Sequence, residues 1–269
     1  MSVVRPAAVA GLFYPDDPRE LRQDVARMLA DAKRYPLTPK ALVVPHAGYV
    51  YSGEIAATAY ATLLPFAARI RRVVLLGPTH RVAIYGLAVP DVTAFDTPLG
   101  RVELDQPAIA ALSKLAQVCI HTVAHAQEHA LEVQLPFLQS VLEDFSIVPL
   151  AVGMASTEDV AEVLETLWGG DETLFVISSD LSHYLPYPAA CATDKATSQS
   201  ILNLAPGITH EQACGGTPIN GLLMAARKHG LQPHLLDLRN SGDTAGTKDR
   251  VVGYGAFAFT QREDVQHAH

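Results

Sequence analysis

A doubly wound α/β fold, a mostly parallel sheet with helices on both faces, is predicted by three observations. Short apolar runs alternate along the chain with helical patterns of about 10–15 residues, as in successive βαβ units. The runs are apolar throughout, as strands buried on both faces must be. Three of them also stop at a histidine: ALVVP (41–45) at His46, RRVVLLGPT (71–79) at His80 and LFVISSDLS (174–182) at His183. Ligands of open α/β sheets sit beyond the carboxyl ends of the strands. Three histidines delivered to that edge point to one site.

The elements follow in order. Asp17 is a helix N-cap with Pro18 at the first helical position. Leu21, Val25, Met28 and Leu29 then recur at helical spacing, to about residue 33. ALVVP is the first buried strand, residues 48–53 read as a loop, and IAATAYATLL (55–64) reads as a small-residue helix able to pack closely on a sheet. VVLLG (73–77) is the second strand, and FDTPLGRVEL (95–104) is a turn between two extended pieces, punctuated by Pro98 and Gly100. Residues 106–116 and 128–143 read as helices, SIVPLAVG (146–153) as a strand, 156–168 as a helix and LFVIS (174–178) as a strand. Helices at 189–204 and 217–229 precede the closing strands HLLDL (234–238) and VVGYGAFAF (251–259). No linker or repeat interrupts the pattern, so one domain is expected over 1–260, with QREDVQHAH (261–269) a disordered tail.

Composition excludes several classes. The 269 residues are 49% hydrophobic and 18% charged, as in a folded globular protein. The net charge of -8, with no block of like charge, argues against nucleic acid or an anionic membrane as partner. No apolar run reaches the roughly 18 residues of a membrane span. Cys119, Cys191 and Cys214 are scattered, odd in number and without a CxxC pair. A reduced, cytoplasmic setting without disulfides or structural zinc is expected.

His46 lies in PHAGYVYSG and His80 in GPTH, each just past a strand. Either could be a loop histidine that caps a helix; two at one sheet edge suit a metal such as Zn, Cu or Fe. His183 in SSDLSHY is flanked by Asp180, which could fix its tautomer for general-base work or could instead cap a helix. AHAQEHALEVQLPFL (124–138) would place His125, Glu128, His129 and Glu132 on one helical face, either as a metal or catalytic group or as a solvated stripe. It is not HExxH, so a zinc-protease reading fails. In CGGTPINGLLMAA (214–226) a Gly-Gly turn precedes Thr217 as N-cap and Pro218, a helix start open to an anion or a simple cap. The polar loop RNSGDTAGTKDR (239–250) offers Asp243 and Thr244.

Taken together, PHAGYVYSG, GPTH, EHALEVQLPFL, SSDLSHY, CGGTPI and NSGDTAG…VVGYGAFAF, with GLFYP near the start, resemble the MEMO family (mediator of ErbB2-driven cell motility) over about residues 5–260. The chain resembles prokaryotic members, of the kind named protein B of the AMMECR1–MEMO–radical-SAM (AmmeMemoRadiSam) system. The resemblance implies a class III extradiol dioxygenase (LigB)-like fold. In those enzymes two histidines and a carboxylate hold non-haem Fe(II), and a further histidine is the acid/base. By motif, His46 and His80 resemble the ligands and His183 the acid/base. Animal members are read as carrying a cysteine in the loop before the last strand. An ungapped count back from VVGYGAF puts Thr244 there, with the adjacent Asp243 able to restore a two-His-one-carboxylate triad. The expected site is therefore His46, His80, Asp243 and Thr244 for metal, His183, Asp180 and His129 for catalysis, and Tyr51, Glu128 and Gly216 for the substrate pocket.

Three functions follow from the resemblance. One is an Fe(II) enzyme acting on a small substrate, with Cu or Zn as alternative metals and isolation without metal allowed. Another is a binding protein for an anionic peptide or small molecule, without turnover. The last is a component working beside AMMECR1-like and radical-SAM proteins. None calls for nucleic acid or a membrane.

Overall fold

A computed structural model describes residues 3–261; beyond Gln261, the tail expected at 261–269 lies outside the described residues. The first half of the chain runs β1 (Val4–Arg5), α1 (Pro18–Asp31), β2 (Pro39–Val44), α2 (Tyr49–Tyr60), β3 (Arg72–Pro78), β4 (Leu87–Val89), β5 (Ala94–Thr97), β6 (Gly100–Glu103), α3 (Gln106–Leu112) and β7 (Val118–Ile120). The second half runs α4 (Thr122–Ala126), α5 (Leu135–Val141), β8 (Ser146–Val152), α6 (Thr157–Thr166), β9 (Thr173–Ser178), β10 (His183–Leu185), α7 (Tyr187–Leu202), α8 (Gly216–Lys228), β11 (Gln232–Asn240) and β12 (Val251–Thr260).

The centre of the main sheet is parallel, in the order β2, β9, β3, β8. Those four strands end at one edge. Antiparallel pairs flank them. On one side β12 pairs with β2, and β10 and β11 pair with β12. On the other, β4 pairs with β8 and carries β7 in parallel. A second sheet joins β1, β5 and β6, and its β5–β6 hairpin is the turn expected around Pro98 and Gly100.

Successive strand residues point to opposite faces, and each face has its own core. Leu42, Val44, Val73 and Leu75 pack with Leu21 of α1, Ile55 of α2 and Phe137 of α5. Ala41, Val43, Val74 and Leu76 pack with Leu164 of α6 and Leu222 of α8. This is the doubly wound arrangement, and full burial of each large aliphatic stabilises it by about 1.5–3 kcal/mol.

Two segments depart from expectation. α2 starts at Tyr49 and takes in most of the stretch read as a loop. Gly53 belongs inside it, because a Cβ there would lie 2.5 Å from Met28 Sδ on α1. The helix expected over 128–143 is broken: α4 stops at Ala126, Glu132–Gln134 form a 3-10 turn, and α5 starts at Leu135. Pro136 has no N–H for the carbonyl four residues back, so it sits in the first turn of a new helix. The break frees residues 127–131 to fold against the carboxyl edge of the sheet.

Candidate metal centre

His46 follows β2 through Pro45 and is 1% exposed. Its backbone N–H donates to Asp180 Oδ1 at 2.7 Å, and its Nδ1 lies 2.9 Å from Ser178 Oγ. His80 follows β3 through Thr79. Glu128 grips it twice: Oε2 accepts the backbone N–H at 2.6 Å and Oε1 accepts Nδ1–H at 2.8 Å. Glu128 also accepts the Ala130 N–H at 2.9 Å and stands 3.3 Å from Nδ1 of His129. This buried carboxylate thus orients the His80 imidazole, the arrangement typical of a histidine whose other nitrogen faces a metal, and lies close beside His129.

The rings of His46, His80 and His129 converge, with centroids 4.5–5.3 Å apart. One donor atom from each lies within 4.8 Å of the other two. Phe13 of the GLFYP loop packs on His129, ring to ring at 4.6 Å. Burial, with the repulsion of His80 added, holds the His46 imidazole down at about 3. Burial, followed by the repulsion of His46 and His80, holds His129 at about 4. Both are neutral with free lone pairs near pH 7, which metal binding requires. Burial alone would raise the Glu128 carboxyl; the His80 ring, the backbone N–H groups of His80 and Ala130 and the attraction of His80 together outweigh it and hold the group at about 2.

A thiol stands beside the cluster at His46, outside the three-histidine group. Cys214 Sγ lies 3.3 Å from His46 Nε2. Gly215 permits this approach, since a Cβ there would meet the Ser179 Cβ at 2.6 Å. Burial and the Asp180 charge push the thiol up to about 12. Asp180 is itself buried, and burial raises its carboxyl above the ordinary range against the opposing bond from His46. A cleft of about 1020 Å³ opens beside the cluster, with His80, Cys214, His183, Arg81 and Met154 in its lining.

The description of Memo-like proteins matches residues 5–258 of this chain. The chain belongs to the Memo family. A MEMO1 family protein of Methanosarcina barkeri is 37% identical over 94% of this chain and 98% of its own length. One from Ignicoccus hospitalis is 37% identical over 96% and 99%, and one from Aquifex aeolicus 35% identical over 95% and 99%.

Within this Memo fold the expected residues separate. His46 and His80 come together as anticipated, and His129, expected as a catalytic group, joins them as the third member of the histidine cluster. Asp243 and Thr244 are not in that group. The Asp243 oxygens accept from Tyr187 OH at 2.6 Å and from the Asn240 N–H at 3.0 Å, capping the 3-10 turn Ser241–Asp243. The Thr244 hydroxyl donates to the Ser241 carbonyl. Both residues line a separate pocket with Tyr51. Gly216 starts α8 under the Ile208 carbonyl, where a Cβ would come within 2.8 Å. Glu128, expected in the substrate pocket, lies beneath His80 as its orienting carboxylate. His125 and Glu132 turn away: His125 Nε2–H donates to the Ala88 carbonyl at 2.9 Å, and Glu132 pairs with Arg5 at 2.6 Å. Cys214 was hidden by its neighbours, because CGGTPI reads as a turn and helix cap. The only signal was its place in a tight glycine turn. No helix among the described residues is long and apolar enough to cross a membrane.

Proposed function

We propose that this Memo protein holds one first-row transition metal on the free nitrogens of His46, His80 and His129, and acts as a non-haem Fe(II), dioxygenase-like enzyme on a small substrate in the adjoining cleft. The observation that carries the reading is the convergence of three imidazoles within 4.8 Å, one of them gripped by a buried carboxylate that stands 3.3 Å from another. The donors fit: imidazoles suit Fe, Cu and Zn. When bound, the metal would supply Lewis acidity, and iron would also activate O₂.

The chain's own residues account for binding and proton handling. Ile84, Val152 and Met154 give the cleft an apolar wall, while Arg81 and His210 place cationic and hydrogen-bonding groups on its rim for an anionic substituent. His183 stands in the same wall, half-buried, where it takes a proton from a substrate hydroxyl and returns it to product. Asp180 holds the His46 backbone and places negative charge near His183 and His129.

Anaerobic reconstitution tests the reading. The expected result is about one Fe(II) per chain, as for a single facial site, lost in His46→Ala and His80→Ala. His183→Ala should keep the metal and abolish O₂ consumption with any substrate that supports it. Protein that carries no first-row metal and takes up none on titration overturns the proposal.

A further inference from the structure

Two backbone carbonyls beneath the site decide which nitrogen of His46 carries its proton. Pro45 O and Ala130 O can only accept. Gln134 points a nitrogen at Pro45 O, 2.9 Å away, so its amide cannot be turned the other way round. Its oxygen faces Tyr60 OH, which donates at 2.9 Å from α2. The same Gln134 nitrogen donates to Ser178 Oγ at 2.8 Å. The single Ser178 hydroxyl proton goes to Ala130 O at 2.6 Å. Ser178 Oγ therefore has no proton for His46 and must accept from it at 2.9 Å. Gln134, Ser178 and Tyr60 are all buried, so water does not compete for these bonds.

We infer that Gln134 and Ser178 are positioning residues that lock His46 as its Nδ1–H tautomer, leaving the Nε2 lone pair aimed into the histidine cluster. The inference rests on the metal-centre reading for its purpose but not for its geometry. Nothing charged is needed. A carboxylate orients His80, whereas a neutral relay orients His46, whose ring is the most deeply buried of the three. Cys214 Sγ, 3.3 Å from Nε2, is placed where a thiol proton meets that lone pair.

The test is a long-range ¹H–¹⁵N correlation spectrum of the metal-free, histidine-labelled full chain near pH 7, with His46 assigned by its loss in His46→Asn. The expected spectrum shows a protonated Nδ1 and an unprotonated Nε2. Ser178→Ala should shift His46 toward the Nε2–H form and weaken Zn(II) binding by about 10- to 100-fold, the usual cost of losing a ligand's orienting partner. Ser178→Thr, which keeps the hydroxyl, should restore the wild-type pattern. An Nε2–H tautomer in the wild type overturns the inference even if Ser178→Ala does not fold. The correct tautomer in a protein that binds no metal would sink the metal-centre proposal and leave this one standing.

Discussion

Glu128 and His80 are joined at two points, the ring Nδ1–H at 2.8 Å and the backbone N–H at 2.6 Å, so one carboxylate fixes both the position of the residue and the rotation of its ring. The segment that supplies Glu128 also supplies His129. Broken from helix by Pro136 further on, it brings an orienting group and a donor to the same edge in adjacent residues.

Glu128→Gln tests that joint. The amide keeps the shape but presents a nitrogen to one of the two His80 donors and removes the charge. Metal affinity should fall by about 10- to 100-fold. Calorimetric titration with Zn(II) measures it; an unchanged affinity would mean that His80 is held by other contacts.

Much of this was legible in the chain. Continuous apolar runs fixed the parallel centre, because strands buried on both faces must be apolar at every position. The histidines after β2 and β3 marked the carboxyl edge. A physical reason kept the place of His129 in the histidine cluster out of sight. EHALEVQ has good helical periodicity, and only tertiary pairing, Glu128 with His80 and Glu132 with Arg5, reveals that it is not read as a helix. Asp243 looked like a ligand because a carboxylate would complete a triad, but a carboxylate beside an N-cap and a tyrosine is already engaged. Short strands such as β4 and β7 carry three residues each, too few for a period to show.

The two candidate third donors can be separated directly. His129→Ala should reduce bound metal to below about half an equivalent under conditions that saturate the wild type, since two imidazoles make a weak site. Asp243→Asn should leave the stoichiometry intact, because neither of its oxygens is free. Elemental analysis of the two variants decides between them; metal lost in Asp243→Asn and kept in His129→Ala would reverse the assignment.

Cys214 should behave as an unreactive thiol in the metal-free protein. The thiolate is the nucleophile, and burial holds this group protonated up to about 12. Cys119 and Cys191 are exposed. Brief iodoacetamide treatment at pH 8, followed by peptide mass spectrometry, should label those two well before Cys214. Equal labelling at all three would place Cys214 in contact with solvent.

Stability should fall on acidification, and His125 is one identifiable reason. It lies outside the metal cluster, its Nε2–H bonded to Ala88 and its Nδ1 without a partner. Burial holds it at about 4, against the ordinary 6.5. Above about pH 6.5 neither state binds the proton, and the group has no effect. Between 6.5 and 4 only the unfolded chain binds it, so stability drops as pH falls, by up to about 1.4 kcal/mol per pH unit and roughly 3 kcal/mol in all. His125→Gln removes this titration. Urea unfolding at pH 7.5 and pH 5 should show a smaller loss in the variant than in the wild type; identical losses would mean that His125 is charged or hydrated in the folded state.

Arg5 ties the N-terminal segment to the metal-site segment, and its removal should affect both stability and metal binding. Its guanidinium meets Glu132 at 2.6 Å and donates to the carbonyls of His125 and Glu128. Glu132 also accepts from Tyr14 OH and from the backbone of Ala8 and Val9, and is fully buried. Arg5→Met strands that carboxylate without its cation, which costs about 3–5 kcal/mol for a buried pair. It also releases the carbonyl of Glu128, the residue that orients His80. Urea unfolding should register the first effect. Zn(II) titration under conditions where the variant is fully folded should register the second as weaker binding at unchanged stoichiometry. Unchanged affinity would confine Arg5 to a structural role.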